Sequence, residues 1–371
     1  MINLTFEDFF SYIEKNKYQG QKKLINLGQG NPKVEVPEEV KQKFSEYLFE
    51  NENHQYPNNK EIDLLKGHVR DTYINKFLTK VQKNNIGIFN GATKILYLLF
   101  NSILDCNSNV LLIDPSYPDY EKILTTITNN IIKLPTYNAL PDIDKIEKLI
   151  KKNKIDMIIF NYPNNPTGQI SNHDFWKKIS SISNKFNVYI VNDYTYSDYV
   201  FDGFSSPSLL KHFHTNKKLI EIFSFSKNYT IPGWRIASVI ANKSIINDMT
   251  EKNNLMEIGI FNPIVKSLNY IFDNYKDSFV DSNFYNKNMI YLKNKLSMYE
   301  DWKIDTPQSG MFLWVYIGNK SSWEYFLYLL NQKNIIILPG VLYGPSYNNY
   351  IRISLNTNYA EIDELIKRLE E

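Results

Sequence analysis

Three side chains that can act on an anion or a carbonyl group fall within one short segment, SFSKNYTIPGWR at residues 224–235. Ser224 and Arg235 can bind a phosphate, the serine through its hydroxyl and the arginine through paired hydrogen bonds. Between them lies Lys227, whose amine can serve as a surface charge or as a nucleophile toward a carbonyl carbon. This grouping raises the hypothesis that Lys227 is present for its amine.

Two further segments place candidate ligands after predicted strands. NGATK (90–94) follows one strand, and Ala92 and Thr93 would open a helix whose free N–H groups can hold a phosphate. PSYPDY (115–120) follows another, and the ring of Tyr117 could lie flat on a planar ligand. An ordinary turn or ordinary packing would also explain each observation taken alone.

Asn165 and Asp193 are more specific candidates. Asn165 lies in NYPNNPTG (161–168), where a plain turn would tolerate many other sequences. Asp193 ends a predicted buried strand, with Tyr196 three residues later, and a buried carboxylate needs a partner. A structural salt bridge or a cationic ring nitrogen would provide one. A phosphate, a planar ring, a ring cation and an aldehyde together describe pyridoxal phosphate, with Lys227 as the amine that joins it.

The elements that must position these residues alternate between short apolar runs and helical patterns. The predicted strands are IGIFN (86–90), VLLID (110–114), IIKLP (131–135), DMIIFN (156–161), VYIVND (188–193) and LIEIFS (219–224). Helical spacing between them predicts crossover connections, and therefore a mostly parallel α/β sheet covered on both faces. In such a sheet the ligand site lies at the carboxyl ends of the strands.

A second, smaller unit is predicted near the C-terminus. After about residue 262 a long helical pattern is followed by the apolar runs GMFLWVYI, IIILPG and YIRISL, and the N-terminal residues are expected to return to this unit. The predicted division is an N-terminal segment of the small domain at 1–48, a large cofactor-binding domain at 49–270 and a small C-terminal domain at 271–371.

Composition excludes several classes of partner. The chain has 371 residues, and 42 basic against 40 acidic residues leave a net charge of +2, which provides no electrostatic footprint for nucleic acid or an acidic membrane. A single cysteine, Cys106, rules out an internal disulfide, and the five histidines show no metal-ligand spacing. No metal site is expected, and the absence of a targeting or membrane-spanning pattern predicts a cytoplasmic protein.

Eight motifs in order resemble the class I/II aminotransferases, a family of fold type I pyridoxal-phosphate enzymes. They are NLGQGNP (26–32), QYPNNKEIDLLK (55–66), NGATK, PSYPDY, YPNNPTG, DYTY (193–196), SFSKNYTIPGWR and YIRIS (350–354). The resemblance covers nearly the whole chain. It implies a mostly parallel seven-stranded sheet in a large domain, with helices on both faces, plus a smaller α/β domain.

The resemblance also implies roles for the residues that act on the cofactor ring and the reacting atoms. Lys227 would form the Schiff base with the cofactor and then move the proton between the substrate Cα and the cofactor. Asp193 would keep the ring nitrogen protonated, and Asn165 and Tyr196 would hydrogen-bond the ring hydroxylate. Tyr117 would stack on the ring.

Anion-binding roles are implied in the same way. The residues that would hold the phosphate within one subunit are Ala92, Thr93, Ser224 and Arg235. Tyr56 would reach the phosphate from a neighbouring subunit, which implies a homodimer with shared sites. Arg352, in YIRIS, would grip the α-carboxylate of the substrate, with Gly30 allowing close backbone approach and Asn165 beside it.

Two positions depart from the family pattern. Glu61 and Ala237 stand where the family usually has glycine. Neither change removes a catalytic group, and we expect both to alter loops near the site.

Three alternatives to general amino-acid transamination stay open at this point. The same scaffold supports other Cα, Cβ or Cγ chemistry, as in lyases, decarboxylases and cyclases of the family. QYPNNKEIDLLK and PNNPTGQI are also similar to the histidinol-phosphate aminotransferase branch. A ligand-sensing regulator is disfavoured because the sequence shows no basic helix-turn-helix segment.

Overall fold

In the computed structural model, residues 5–16, 18, 20–57, 59–136 and 139–371 are described. The helices of this part are α1 (Phe6–Lys15), α2 (Glu38–Phe49), α3 (Asn59–Phe77), α4 (Ala92–Ile103), α5 (Asp119–Leu124), α6 (Ile143–Asn153), α7 (His173–Phe186), α8 (Phe225–Asn228), α9 (Lys243–Asn254), α10 (Asn262–Asn274), α11 (Ser282–Leu296), α12 (Ser322–Tyr328) and α13 (Tyr359–Glu370). The strands are β1 (Ile25–Asn26), β2 (Ile86–Phe89), β3 (Val110–Asp114), β4 (Ile131–Pro135), β5 (Met157–Phe160), β6 (Tyr189–Asp193), β7 (Leu219–Ser224), β8 (Ala237–Ile240), β9 (Lys303–Ile304), β10 (Phe312–Tyr316), β11 (Ile335–Ile336), β12 (Leu338–Pro339) and β13 (Tyr350–Ser354).

A seven-stranded sheet forms the centre of the molecule, in the order β2-β8-β7-β6-β5-β3-β4. Strands β7, β6, β5, β3 and β4 run parallel, whereas β8 is antiparallel to both of its neighbours. All six strands predicted from apolar runs are present, and the α/β fold class is confirmed. The seventh strand, β8, was not predicted.

Both faces of this sheet are covered, because alternate side chains of a strand point to opposite faces. Ile158 and Ile190 pack in a core cluster with residues of α3, α6, α7 and α10. Their neighbours Ile159 and Val191 pack in a second cluster with residues of α4 and α9. The continuous apolar runs in the sequence are explained by this two-sided burial.

A separate hydrophobic core, called the second core below, lies beside the seven-stranded sheet and both of its clusters. It contains the antiparallel sheet β12-β13-β10-β9 and the parallel pair β1-β11, together with residues of α11 and α13. The N-terminal part of the chain reaches this region, since β1 pairs with β11 and Phe9 of α1 packs against Phe326 of α12. Val40 of α2 packs instead with Leu268 of α10, in the core of the large sheet. The domain boundaries at residues 49 and 271 stay a prediction.

The carboxyl ends of the parallel strands lead directly into the predicted ligand segments. Asp114 ends β3 three residues before Tyr117, Asp193 ends β6, and Ser224 ends β7 and precedes α8. Parallel strands present these ends at one edge of the sheet, so residues far apart in sequence meet there. Within the described part of the chain, we find no helix with the length and apolar character that crossing a membrane requires.

Candidate active site

A cavity of about 620 Å³ lies at this edge, between the seven-stranded sheet and the second core. Eleven of the twelve predicted site residues line it: Gly30, Ala92, Thr93, Tyr117, Asn165, Asp193, Tyr196, Ser224, Lys227, Arg235 and Arg352. The twelfth, Tyr56, does not, and its side chain is 80% exposed. A Cβ atom at Gly30 would come within 2.7 Å of the ring of Phe312, and the expected approach of a substrate carboxylate to this residue stays a prediction.

Lys227 lies in the short helix α8, with its side chain partly buried in the cavity. Its Nζ donates a hydrogen bond of 2.5 Å to the backbone oxygen of Gly30. Burial, and then the positive charges of Arg352 and Arg235, lower the pKa of Lys227 from 10.5 to about 8. No acidic group pairs with this amine in the described part of the chain. A fraction of the amine is therefore neutral near neutral pH, as a nucleophile or a general base requires.

Asp193 is buried at the end of β6 and is held by neutral donors. Its Oδ2 accepts a hydrogen bond of 2.6 Å from the phenol of Tyr120, and its Oδ1 accepts bonds from the hydroxyl and the backbone N–H of Thr195. Burial raises the pKa of the carboxyl group, and the bonds from Thr195 and Tyr120 oppose that change. Among the described residues Asp193 has no cationic partner. It can therefore accept a hydrogen bond from a cationic group of a ligand.

Arg352, on β13, is a buried cation surrounded by neutral groups. Its Nη1 donates to Asn165 Oδ1 at 2.9 Å and to the phenol oxygen of Tyr343 at 2.8 Å, and its Nη2 donates to the backbone oxygen of Gly28 at 2.7 Å. The guanidinium carbon lies 3.7 Å from the ring centroid of Phe312. Its Nε is buried, with no hydrogen-bond partner in the described part of the chain. A buried charge without a counter-ion is costly, so this geometry favours an anionic ligand.

The contact with Arg352 also determines how the Asn165 amide is oriented. An arginine side chain has only donors, so the group of Asn165 that faces Arg352 must be the carbonyl oxygen. Tyr343 donates to the same oxygen at 3.0 Å. The Nδ2 group of Asn165 then points away from Arg352, and within the described residues it has no acceptor. It remains available to an oxygen atom of a ligand.

The opposite end of the cavity is suited to a phosphate. Helix α4 begins at Ala92, and its N-cap, Gly91, has no side chain to bond the first N–H groups. The backbone φ of Gly91 is +90°, and a Cβ atom there would lie 2.8 Å from Nη2 of Arg235. Glycine is required on both grounds, because it alone tolerates this φ readily and lets the guanidinium approach the helix terminus. Ser224 is buried beside this turn.

The aromatic residues of the cavity lie between these two ends. Tyr117 packs edge-on against Tyr120, with 5.7 Å between ring centroids, and Tyr196 packs edge-on against Phe312 at 6.1 Å. Burial raises the pKa of both phenols, so both are protonated near neutral pH. Tyr196 can thus donate a hydrogen bond to a ligand oxygen.

Glu61 and Ala237 are the two positions that depart from the family pattern. Ala237 is the first residue of β8, is fully buried and pairs with Ser224, and Glu61 lies in the first turn of α3, where it accepts a hydrogen bond of 3.0 Å from Asn269. Neither lines the cavity. Both positions fall within regular elements and not within loops, and an effect of either residue on loops near the site stays a prediction.

Several residues that line the cavity or bond its lining side chains were not predicted. Tyr120 and Thr195 bond Asp193, and each lies inside a quoted motif, PSYPDY or DYTY, so the signal was present and unused. Tyr343 and Phe6 lie in segments without a ligand-like pattern, and nothing local in the sequence indicated them.

The residues present fit pyridoxal phosphate. The glycine turn at Gly91, which a Cβ atom would fill, lies beside Arg235 and suits the phosphate, and Asp193 is a buried carboxylate in need of a cation. Lys227 supplies an amine of lowered pKa. Fold and site together define a pyridoxal-phosphate enzyme.

Comparison with known proteins identifies the family. Residues 22–369 match the model of "Aminotransferase class I and II", so the chain belongs to this family, whose members depend on pyridoxal phosphate, and it is an aminotransferase. It is 25% identical over 355 residues to transaminase BacF of Bacillus subtilis (strain 168), which covers 94% of this chain and 88% of that protein. It is 27% identical over 357 residues to an aspartate aminotransferase of Pyrococcus horikoshii, which covers 94% and 90%.

Solved structures of other proteins share this fold. An aminotransferase from Staphylococcus aureus superimposes with a TM-score of 0.85 at 25% identity, covering 95% of this chain and 94% of that chain. The BacF structure gives a TM-score of 0.87 at 23% identity, covering 98% and 94%. The names of the curated relatives favour transamination over other reactions of the same cofactor.

Proposed function

We propose that Lys227 is the residue that joins the cofactor and moves the proton during transfer of an amino group between an amino acid and a 2-oxo acid. The observation that carries this proposal is the environment of its amine. The amine lies in the cavity without an acidic partner among the described residues, and burial and two arginines lower its pKa to about 8. A lysine in such surroundings is disfavoured as a structural charge and favoured as a nucleophile.

Pyridoxal phosphate, when bound, supplies an aldehyde for the amine and a ring that accepts the electron pair released at the substrate Cα. Asp193 would hold a proton on the ring nitrogen, since its carboxylate has no cationic partner among the described residues. Asn165 Nδ2 and the phenol of Tyr196 would donate to the ring oxygen, and Tyr117 would stack on the ring. The groups that bind the phosphate are the N-terminus of α4 at Ala92 and Thr93, Ser224 and Arg235.

Arg352 binds the α-carboxylate of the substrate in this proposal. Its unpartnered Nε and its fixed guanidinium plane support this role, since Asn165, Tyr343 and Phe312 already hold the side chain in place. The substrate amine is then directed toward Lys227. The neutral Lys227 amine takes the proton from the substrate Cα.

The decisive experiment removes the amine of Lys227. Lys227→Ala should abolish the pH-sensitive visible absorbance of the bound cofactor and all turnover. Lys66→Ala is the control, because Lys66 is also a lysine whose pKa burial lowers but it lies outside the cavity. A yellow, active Lys227→Ala protein would contradict the proposal. Incubation of the wild type with single amino acids should yield the amine form of the cofactor and a 2-oxo acid; release of other products would favour lyase, decarboxylase or cyclase chemistry.

We further propose a homodimer in which Tyr56 reaches the partner's phosphate site. Tyr56 lies outside its own cavity, and exposed apolar side chains flank it in sequence and in space. Phe49 is 85% exposed, and Gly259, against Pro57, lies in a loop with Leu255 and Ile258, which are 88% and 67% exposed. Apolar surface of this kind favours an interface. A cytoplasmic location stays a prediction from the sequence.

Mixed dimers test the shared site. Lys227→Ala and Tyr56→Ala proteins should each have low activity, and co-refolding them should restore activity, because one site of a mixed dimer then contains both native residues. Sedimentation should show the dimer. A monomeric wild type, or mixtures no more active than their components, would refute the sharing of Tyr56.

A further inference from the structure

Helix α1 lies across the mouth of the cavity and is anchored at two places. Phe9 is buried and packs against Phe326, with 4.8 Å between ring centroids. On the other side, Glu7 forms an ion pair with Lys122 of α5. These two contacts hold α1 against α12 and α5, and Phe6, Glu7 and Phe10 of this helix line the cavity.

Phe6 of α1 lies between the groups assigned to the ring and to the carboxylate. Its ring centroid is 6.3 Å from that of Tyr117 and 6.5 Å from that of Tyr343, which bonds Arg352. Phe10 stacks on Phe6 at 6.2 Å and also lines the cavity. A substrate whose carboxylate is bound by Arg352 and whose Cα lies near the ring therefore has Phe6 over the atoms that follow Cα.

The cations of the cavity are already assigned. Among the described residues that line it, the positive side chains are Lys227, Arg235 and Arg352, and the proposed function uses all three. The acidic lining residue nearest Phe6 is Glu7, which is neutralised by Lys122, and Asp119 lies beside Tyr117. Among the described residues that line the cavity, no cation is left over for a second carboxylate, and the carboxylates of Glu7 and Asp119 also line it.

We propose that the substrate is an amino acid with an apolar, preferably aromatic, side chain, and that Phe6 is the residue that selects it. The inference rests on the proposed function for the position of the carboxylate. Burial of an aromatic side chain against Phe6 favours binding through the apolar area removed from water and through ring contacts. A second carboxylate would meet two aromatic rings and no free cation, and its desolvation would oppose binding.

Binding of unreactive carboxylic acids tests the selectivity apart from turnover. The cofactor-loaded full chain is titrated by calorimetry with 3-phenylpropanoate, propanoate, glutarate and 6-aminohexanoate. We expect 3-phenylpropanoate to bind at least about 10-fold more tightly than each of the others, the gain that burial of one aromatic group provides. Glutarate or 6-aminohexanoate binding as tightly as 3-phenylpropanoate would overturn the inference.

Variants of Phe6 test whether it is the selecting residue. Phe6→Ala should weaken binding of 3-phenylpropanoate about 10-fold and that of propanoate less than about 2-fold, because propanoate reaches Arg352 alone. Phe6→Leu should retain most of the preference. Phe204→Ala is the control, since it removes the ring of a phenylalanine that lies outside the cavity. Equal losses for both ligands in Phe6→Ala would assign Phe6 a structural role and overturn the inference.

Turnover separates this inference from the proposed function. We expect kcat/KM to be higher for phenylalanine and leucine than for glutamate, aspartate and lysine. Transamination that prefers glutamate, aspartate or lysine would sink the apolar assignment and leave the proposed function intact. Conversely, a Phe6-dependent preference for 3-phenylpropanoate in a protein that transaminates no amino acid would refute the proposed function and support the apolar pocket.

Discussion

The two arginines at opposite ends of the cavity differ in how they are held. Arg352 is 5% exposed, with its Nη1 and Nη2 bonded to neutral oxygens and its guanidinium on the ring of Phe312. Arg235 is exposed, and its Nη1 bonds only the backbone oxygen of Pro232, at 3.0 Å, among the described residues. One cation is desolvated and fixed, and the other is hydrated and lies beside a helix N-terminus.

This difference corresponds to two kinds of anion binding. A desolvated charge interacts strongly with its partner, and the rigid guanidinium of Arg352 favours a single geometry of the carboxylate. Water weakens an exposed charge, so Arg235 needs the N–H groups of α4 to hold a phosphate with it. We therefore expect substrate orientation to depend mainly on one residue and phosphate binding to be divided among several.

The largest expected effect follows loss of the buried arginine. Arg352→Met should lower kcat/KM for amino donors by roughly 100- to 1,000-fold, the cost of removing one member of a buried charged pair. Cofactor affinity should change little, since Arg352 lies at the substrate end. Steady-state kinetics and a spectral titration with the cofactor measure the two quantities.

Arg352→Lys distinguishes the contribution of the positive charge from that of the planar guanidinium group. It keeps the positive charge and loses the planar fork, so it should recover only part of the lost activity. Full activity in Arg352→Lys would show that charge alone is needed, and full activity in Arg352→Met would remove the contrast between the two arginines.

The next expected effect is on the free energy of unfolding. Lys227 lies close enough to both arginines for their positive charges to disfavour its own charge. Folding lowers its pKa from 10.5 to about 8, so the unfolded chain binds a proton more tightly and the charged amine destabilises the fold. Lys227→Met should stabilise the cofactor-free protein at pH 7 by at most on the order of 3 kcal/mol. The gain should decline between pH 8 and 10.5 and vanish above that range.

Urea unfolding of both proteins across this pH range measures the difference. Lys367→Met, at an exposed lysine of α13, provides the control. A gain that is the same at pH 7 and pH 10.5 would mean that side-chain packing, and not charge, caused it.

Loss of the exposed arginine should have a smaller effect on binding. Arg235→Ala should weaken pyridoxal phosphate about 10-fold, in line with a charge-assisted hydrogen bond partly screened by water. Pyridoxal, which lacks the phosphate, should bind the variant and the wild type equally. Equilibrium titration with both compounds gives the ratio, and an equal loss for the two would assign Arg235 a structural role.

The smallest expected effect is the change in the pKa of Lys227 when either arginine is removed. Both lower its pKa, Arg352 more than Arg235. Removal of either should raise the pKa of Lys227 and move its reaction with an amine-selective acylating reagent to higher pH, with the larger movement in Arg352→Met. Mass spectrometry of modified Lys227 in the cofactor-free proteins follows the pH profile. A larger movement of the pH profile on loss of Arg235 than on loss of Arg352 would contradict the view that the buried arginine acts more strongly on Lys227.

Local patterns in the sequence predicted much of the fold. The runs that became β3 and β7 are apolar and bounded by polar turns, so their extended conformation follows from local preference and two-sided burial. Strand β8 was not recognised because ASVI directly follows the turn at Arg235, and a four-residue run carries little periodicity. Its antiparallel direction depends on pairing with Phe89 and Ser224, which is a long-range property.

The amino-acid sequence by itself determined the chemical groups of the site and the ends of strands at which most of them stand. Lys227, Asp193 and Asn165 follow strands, and a parallel sheet brings such positions together wherever its strands end. Only the tertiary structure decided that Arg352 is buried without a counter-ion among the described residues, that Tyr343 bonds it, and that Phe6 lines the same cavity. These are contacts between segments distant in sequence, and burial and electrostatics depend on every group nearby, so no local pattern could show them.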